Sequence, residues 1–251
     1  MDRTYLQRVK EVVKINHLYH LEESMIWEML DSSKAITFDG HFELLSKKHS
    51  DTFFRFAAIS QYPSFVAKIS KEMVAWLTTD CEKIADINVV LGPASQGMFF
   101  AYDIAREFNG RMGCRAVYTA IDNDGSPKGD LIEGFDIKPG ENVLIVNDMA
   151  TTGNGLERLA QLVEKKCGAN VVAICLFANR GMDEEKIQLL EKKYKFHSIL
   201  DLNMPSWPKK QCNQKCNQNR MLIHSGKLNH LPIYTEENAY DLYVAKLQHA
   251  A

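Results

Sequence analysis

One short stretch of the chain combines residues that could bind an anion and a sugar. Residues 143–146 are apolar and predict a buried strand, and Asn147 and Asp148 stand at its carboxyl end. Apolar spacing from residue 156 onward then predicts a helix. The turn between the strand and the helix is built of small residues, namely Thr151, Thr152, Gly153, Asn154 and Gly155.

Such a turn has several means of holding a phosphate. Its backbone N–H groups converge on one point, the amino end of the helix adds partial positive charge, and threonine hydroxyls can donate hydrogen bonds. Glycine lets the backbone approach a ligand closely, and the carboxylate of Asp148 could hold sugar hydroxyls. The alternative interpretation is an ordinary turn between a strand and a helix of an α/β protein.

A second run of small residues lies between a strand predicted at 88–91 and a helix predicted at 98–108. Its backbone could also present N–H groups to an anion. Taken alone, it could equally be a turn that only begins a helix. The run consists of Gly92, Pro93, Ala94, Ser95, Gln96 and Gly97.

The rest of the chain predicts the elements that position these turns. Residues 3–31 and 64–80 predict helices, and extended runs within 36–60 predict a hairpin. Beyond residue 81 strands alternate with helices, which indicates an α/β fold with a mostly parallel sheet flanked by helices. Further strands are predicted at 115–120, 171–178 and 198–202, a loop at 125–129, and a helix at 184–193. Ligands of such sheets bind at the carboxyl ends of the strands, where both small-residue turns would lie.

These elements suggest three parts within a single compact unit. We expect an amino-terminal helical segment with a hairpin hood at 1–80, an α/β core at 81–205 and a carboxyl-terminal extension at 206–251. The chain has 251 residues, a net charge of −2, 45% hydrophobic residues and 25% charged residues, which is an ordinary globular composition. It predicts no nucleic-acid partner, no membrane span and no signal pattern, and therefore a cytoplasmic protein.

Together, these motifs resemble the type I phosphoribosyltransferases, and most of all the orotate phosphoribosyltransferases. In that family two acidic residues precede a Thr-Thr-Gly loop, and a Gly-Pro-Ala loop comes about fifty residues earlier, in the order found here. The family's hairpin is matched by Phe42, Leu44, Ser46, Ser50, Phe53 and Phe54. The turn Pro139-Gly140-Glu141 and the segment Met204-Pro-Ser-Trp-Pro before Cys212 resemble one branch of it, so the resemblance runs from about residue 36 to about residue 226.

The resemblance implies a type I phosphoribosyltransferase fold and transfer of phosphoribosyl from 5-phosphoribosyl 1-diphosphate (PRPP) to a nucleobase-like acceptor, with release of pyrophosphate. It also implies Mg²⁺ bound through PRPP and a homodimer. The turn at 151–155 would hold the 5′-phosphate, Asn147 and Asp148 the ribose, and the turn at 92–97 the pyrophosphate. Phe53, Phe54, Ser46 and Lys47 would face the base, and Asp148, Asp122 and Lys128 would be catalytic.

Several positions depart from the family's pattern. Asn147 replaces an acid, and Gln96 stands where some members have a lysine. Leu45 stands where many orotate enzymes carry a lysine, and Glu157, beside Arg158, stands where an arginine often pairs with the orotate carboxylate. The family's cation-rich catalytic loop is here TAIDNDGSPKGD, in which Asp122 and Asp124 accompany a single cation, Lys128.

These departures leave two hypotheses open. The chain could be a phosphoribosyltransferase, including one for a base without a carboxylate. It could instead be a catalytically weak regulatory paralogue that binds PRPP or a nucleotide. The first 31 residues contain no basic recognition helix, which disfavours a DNA-binding regulator.

The six cysteines are dispersed and do not predict a disulfide framework. Cys212 and Cys216 have C-x₃-C spacing, and His224 follows eight residues later. Two thiols and one distant histidine do not complete a tetrahedral zinc site. We therefore expect accessible loop thiols and no metal bound by protein ligands, and we expect His49 either to touch the base or to be a polar surface residue.

Overall fold

The structure is a computed structural model that describes residues 4–44, 47–82, 84–94, 96–108, 113–122, 127–212 and 223–224. Its helices are α1 Tyr5–Val12, α2 Glu23–Ser33, α3 Ala57–Ser60, α4 Pro63–Asp80, α5 Gly97–Phe108, α6 Asn154–Gln161 and α7 Glu184–Lys193. Its strands are β1 Val13–Ile15, β2 Ile36–Thr37, β3 Phe42–Glu43, β4 His49–Ser50, β5 Phe53–Phe54, β6 Ile87–Pro93, β7 Arg115–Ile121, β8 Pro127–Leu131, β9 Asn142–Ala150, β10 Asn170–Asn179, β11 Lys195–Leu202 and β12 Ile223–His224.

Seven of these strands form the central sheet, in the order β1-β11-β10-β9-β6-β7-β8. The five inner strands are parallel, and the edge strands β1 and β8 are antiparallel to their neighbours. Residues 143–146 of β9 are fully buried, as expected for a central strand covered by helices on both faces. The predicted α/β fold with a mostly parallel sheet is confirmed.

The chain reverses its winding direction between β6 and β9. From β6 it passes through α5 to β7 on one side, and from β9 it passes through α6 to β10 on the other side. The connections that leave these two adjacent strands therefore diverge and open a crevice at their carboxyl ends. Both small-residue turns predicted from the sequence border this crevice.

The hood consists of two short antiparallel pairings, β2 with β5 and β3 with β4, which agree with the predicted hairpin. The segment after β11 runs along β4, because His49 and Trp207 exchange two backbone hydrogen bonds of 2.8 Å. The hairpin prediction extended too far, since residues 57–60 form helix α3.

The helix predicted at 3–31 is interrupted. Val13–Ile15 forms β1, which pairs with β11 and so joins the amino-terminal segment to the central sheet. The end of the following loop is held by the buried carboxylate of Glu72. This carboxylate accepts hydrogen bonds from the amides of Tyr19, His20 and Leu21 at 2.6–2.8 Å. These bonds fix the loop backbone outside a helix, so the prediction of one long helix was wrong.

Candidate active site

The turn predicted to bind phosphate lies between β9 and the amino end of α6. Thr151 and Thr152 are exposed, and Gly153 has φ +75° and immediately precedes α6. A Cβ at Gly153 would lie 2.9 Å from Cε of Lys186, so both backbone conformation and space favour glycine there. Asn154 and Gly155 belong to the first turn of α6, whose amino end faces the crevice.

Asn147 and Asp148 belong to β9, which continues to Ala150. The Asn147 side chain donates a 3.0 Å hydrogen bond to the carbonyl of Met149. Burial raises the pKa of the Asp148 carboxyl to about 6, although hydrogen bonds from the amides of Met149 and Asp148 oppose this shift. Asp148 is therefore a carboxylate that can change protonation state within a unit or so of neutral pH.

The first small-residue turn is shorter than predicted. Gly92 and Pro93 belong to β6 and pair with Tyr118 and Thr119 of β7, because the parallel ladder continues beyond the apolar run. Ala94 extends this contact through a 2.8 Å hydrogen bond from its amide to the carbonyl of Thr119. Gln96 and Gly97 remain at the start of α5, and Ser95 lies outside the described residues.

The two turns approach each other closely at the crevice. A Cβ at Gly97 would lie 2.6 Å from Cδ of Pro93 and 3.1 Å from Oδ1 of Asn147. The start of α5 therefore contacts the sugar-binding end predicted for β9. Gln96 is held by the hydroxyl of Ser60, which donates a 2.8 Å hydrogen bond to its Oε1.

The predicted catalytic loop is flanked by the antiparallel strands β7 and β8. Lys128 lies in β8 and not in the predicted loop at 125–129, because residues 127–131 pair with β7. Its Nζ lies 4.0 Å from Oδ1 of Asp122, and both side chains are about half exposed. Pro127 packs beside the phosphate turn, since a Cβ at Gly155 would lie 3.2 Å from its Cδ. Asp124 lies outside the described residues.

The residues predicted to face the base lie in different environments. Phe54 is buried in the core and packs against Phe177, with ring centroids 6.3 Å apart. Phe53 is half-buried and packs against Phe42, with centroids 5.5 Å apart. Lys47 is exposed and pairs with Glu43 at 3.2 Å. Ser46 and Leu45 lie outside the described residues. Of the two phenylalanines predicted to face the base, Phe53 is the one that is partly accessible.

Arg180 is a cation near the hood that the sequence analysis does not single out. It follows β10, and its amide donates a 2.8 Å hydrogen bond to the carbonyl of Ala150. Its guanidinium donates to the carbonyl of Thr52 at 3.2 Å and lies 5.7 Å from the centre of the Phe53 ring. Burial lowers its pKa to about 10. In the sequence, Arg180 could have been recognised as a charged residue just beyond the apolar strand predicted at 171–178.

Two small-residue turns at a switch point, one of them beside an acidic strand end, define an α/β protein built to bind a phosphorylated sugar or nucleotide. Comparison with protein families identifies a phosphoribosyl transferase domain at residues 59–207. The chain belongs to the type I phosphoribosyltransferase family. The predicted family, fold class and pentosyltransferase activity are thereby confirmed, and the regulatory paralogue is not favoured.

Known relatives and structures agree with this assignment. The chain is 32% identical over 206 residues to an orotate phosphoribosyltransferase of Thermoanaerobacter sp. (strain X514), an alignment that covers 82% of this chain and 98% of that protein. The structure of orotate phosphoribosyltransferase from Aeropyrum pernix matches with a TM-score of 0.53 at 20% identity, covering 68% of this chain and 91% of that one. Leishmania donovani UMP synthase matches with a TM-score of 0.56 at 20% identity, covering 73% of this chain and 37% of the synthase. The two structures support the fold.

Within the described part of the chain, none of the helices combines the length and apolarity needed to cross a membrane.

Proposed function

We propose that this chain transfers phosphoribosyl from PRPP to orotate, releasing pyrophosphate. The observation that carries the proposal is the contact between the start of α5 and Asn147, because it joins the two predicted anion sites across one crevice. Orotate is favoured as the acceptor by the similarity to orotate phosphoribosyltransferases and by Arg180 beside Phe53. The Arg180 guanidinium supplies the cation for the orotate carboxylate that Leu45 and Glu157 do not supply.

In this proposal the described elements bind different parts of the two substrates. The turn at 151–155 holds the 5′-phosphate, and the carboxylate of Asp148 accepts hydrogen bonds from the ribose hydroxyls. The start of α5 with Gln96 and Gly97 holds the diphosphate. Phe53 lies against the acceptor base under the hood. The bond from C1 of the ribose to the diphosphate oxygen breaks, and a bond from C1 to a ring nitrogen of the acceptor forms.

Catalysis would come from positioning and from electrostatics. Holding the acceptor nitrogen in line with the departing oxygen removes much of the entropic cost of reaction. The sugar carries positive charge in the transition state, and the nearby carboxylate of Asp148 favours that charge. Lys128 follows Pro127, which packs beside the turn at 151–155, and its side chain would move from its contact with Asp122 to the negatively charged diphosphate.

We also propose that Mg²⁺ accompanies PRPP. Mg²⁺ prefers oxygen ligands and is commonly bound through substrate phosphates together with one or two carboxylates. Asp148 and the diphosphate itself offer such oxygens, so the residues present fit the ion. When bound, Mg²⁺ would neutralise charge on the diphosphate.

Two further features complete the proposal. Among the described residues, Cys81, Cys114, Cys167 and Cys175 form no disulfide, which is consistent with the proposed location in the reducing cytoplasm. A homodimer is supported by exposed aromatic side chains on α5, where Phe99 and Tyr102 border an apolar cavity of about 410 Å³.

The test is calorimetric titration of the protein with PRPP and Mg²⁺, followed by assays of pyrophosphate release with orotate, uracil, adenine and guanine. We expect PRPP binding that is lost in Asp148→Ala and retained in Asp86→Ala, an exposed carboxylate at the opposite end of β6. Turnover with orotate alone supports the full proposal. Turnover only with an uncharged base would refute orotate as acceptor, and PRPP binding without any turnover would refute the transferase activity.

A further inference from the structure

Three potential metal ligands converge in the hood. His41 precedes β3, His49 lies in β4, and Cys212 follows a short 3₁₀ turn at residues 209–211. Their side chains are 2%, 1% and 6% exposed, and the ligand atoms all lie within 4.8 Å of one another. This corrects two expectations from the sequence, because Cys212 is not an accessible loop thiol and His49 is not a surface residue.

We propose that His41, His49 and Cys212, with a water molecule in the fourth tetrahedral position, bind a zinc ion that fastens the carboxyl-terminal segment to the hood. Nε2 of His41 lies 3.0 Å from Nδ1 of His49 and 3.5 Å from Sγ of Cys212. In tetrahedral zinc sites, two nitrogen ligands are about 3.3 Å apart, and a nitrogen and a sulfur ligand are about 3.6 Å apart. Both of these separations match the expected values to within a few tenths of an ångström, and the third pair of ligand atoms lies within 4.8 Å.

The ligand types select zinc over the hard cations. Imidazole nitrogen and thiolate sulfur are preferred by zinc, whereas Mg²⁺ and Ca²⁺ prefer oxygen. Coordination would release the Cys212 thiol proton to solvent and would use one unprotonated nitrogen of each imidazole. The ligands of this ion would thus differ in chemistry from the oxygen ligands of the Mg²⁺ proposed to accompany PRPP.

The position of the three ligands explains what the ion would do. The segment at 205–207 already lies along β4, through the hydrogen bonds between His49 and Trp207 and through the Ser50 hydroxyl, which donates to the carbonyl of Pro205 at 2.7 Å. These hydrogen bonds connect β4, which like β3 is a strand of only two residues, to the segment that follows β11. A zinc ion would cross-link both strands of the β3–β4 hairpin to the segment that follows β11.

The first experiment measures the metal content of untagged protein by mass spectrometry after exhaustive dialysis. We expect about one zinc per chain in the wild type and in two matched controls, Cys167→Ser and His20→Asn, which lie outside the cluster. Cys212→Ser and His49→Asn are expected to lose the stoichiometric zinc. Wild-type protein without stoichiometric zinc that also fails to take up added zinc would overturn the proposal.

A second measurement remains decisive if the variants fold poorly. Cobalt(II) is added to wild-type protein freed of zinc, and its absorption spectrum is recorded. Mixed nitrogen and sulfur coordination predicts intense tetrahedral ligand-field bands together with a thiolate-to-cobalt charge-transfer band. A chelator should lower the melting temperature of the wild type and of Cys167→Ser, and re-added zinc should restore it. A spectrum without the thiolate band, or a melting temperature insensitive to chelation, would refute a structural site at Cys212.

Discussion

The protonation of Asp148 depends on its buried surroundings. Because burial raises the pKa of its carboxyl to about 6, protonation should remove its ability to accept hydrogen bonds from the ribose on the acidic side of neutrality. We expect kcat/KM for PRPP to fall about tenfold per pH unit below pH 6. Asp148→Asn should remove this acidic limb and lower the plateau about 10- to 100-fold, since a charged hydrogen bond contributes about 1.5–3 kcal/mol.

The same pKa predicts an effect on stability with a defined sign. Between pH 3.8, the ordinary value of the carboxyl, and about 6, the folded protein retains a proton that the unfolded chain has released. The contribution of Asp148 to the free energy of unfolding therefore declines as pH rises through this window. At pH 7, Asp148→Asn should be the more stable protein in denaturant titrations, by on the order of 3 kcal/mol at most. Equal stability at pH 7, or a retained acidic limb in the variant, would contradict the assigned pKa.

Arg180 should determine affinity for the acceptor and leave PRPP binding unchanged. Its guanidinium lies beside Phe53 under the hood, whereas the predicted phosphate turns lie at the switch-point crevice. We expect Arg180→Gln to raise KM for orotate about 10- to 100-fold through loss of a charge-assisted contact. The exposed Arg106→Gln serves as the control, with steady-state kinetics and PRPP calorimetry as measurements. An unchanged KM for orotate would show that another residue binds the carboxylate.

At the scale of elements, the close approach of α5 to β9 should be essential for binding PRPP. A Cβ at Gly97 meets Pro93 and Asn147, so Gly97→Ala would push the two turns apart. We expect at least tenfold weaker PRPP binding and a loss of about 1–3 kcal/mol of stability, as for other overpacked sites. Gly129→Ala, where a Cβ meets nothing within 4 Å, should change neither quantity. Calorimetry and thermal melts of both variants provide the comparison, and wild-type affinity in Gly97→Ala would argue against the turn as a diphosphate site.

Elements with strong local signals were predictable from the sequence. The apolar run at 143–146 and the helix at 184–193 appear where they were predicted, because burial and periodicity act within a few residues. The strand at Val13–Ile15 was missed because its β-branched residues also fit helical spacing, and its pairing partner Leu202 is distant in sequence. A local pattern cannot distinguish a helix from a strand here, because pairing with the edge of the sheet determines which one forms.

The candidate functional residues also differ in whether the sequence alone could suggest them. The turn at 151–155 and Asp148 form a contiguous motif, so the amino-acid sequence alone is enough to propose them as site residues. The cluster of His41, His49 and Cys212 joins residues up to 171 positions apart in the sequence. The C-x₃-C spacing instead suggested the nearby Cys216 as the partner of Cys212. Arg180 was missed for a related reason, since its proximity to Phe53 arises only when the hood folds over the sheet.

For the whole molecule, the proposed homodimer should depend on the aromatic surface of α5. Tyr102 and Phe99 are 63% and 45% exposed, and they border one apolar cavity together with Pro63 and Val66 of α4. Exposed apolar surface of this kind marks an interaction surface. Leu189 on α7 is 51% exposed but stands as a single residue, which needs no partner. Tyr102→Glu would place two charges at the centre of a symmetric interface, because each partner contributes the same patch.

We therefore expect Tyr102→Glu to shift the protein from dimer to monomer in light scattering coupled to size-exclusion chromatography, while Leu189→Glu remains a dimer. Because α5 begins at Gly97, an interface along this helix would also support the turn proposed to hold the diphosphate. Monomeric Tyr102→Glu should consequently bind PRPP more weakly than Leu189→Glu at equal chain concentration. A wild-type monomer would refute the homodimer, and a dimeric Tyr102→Glu would place the interface on another surface.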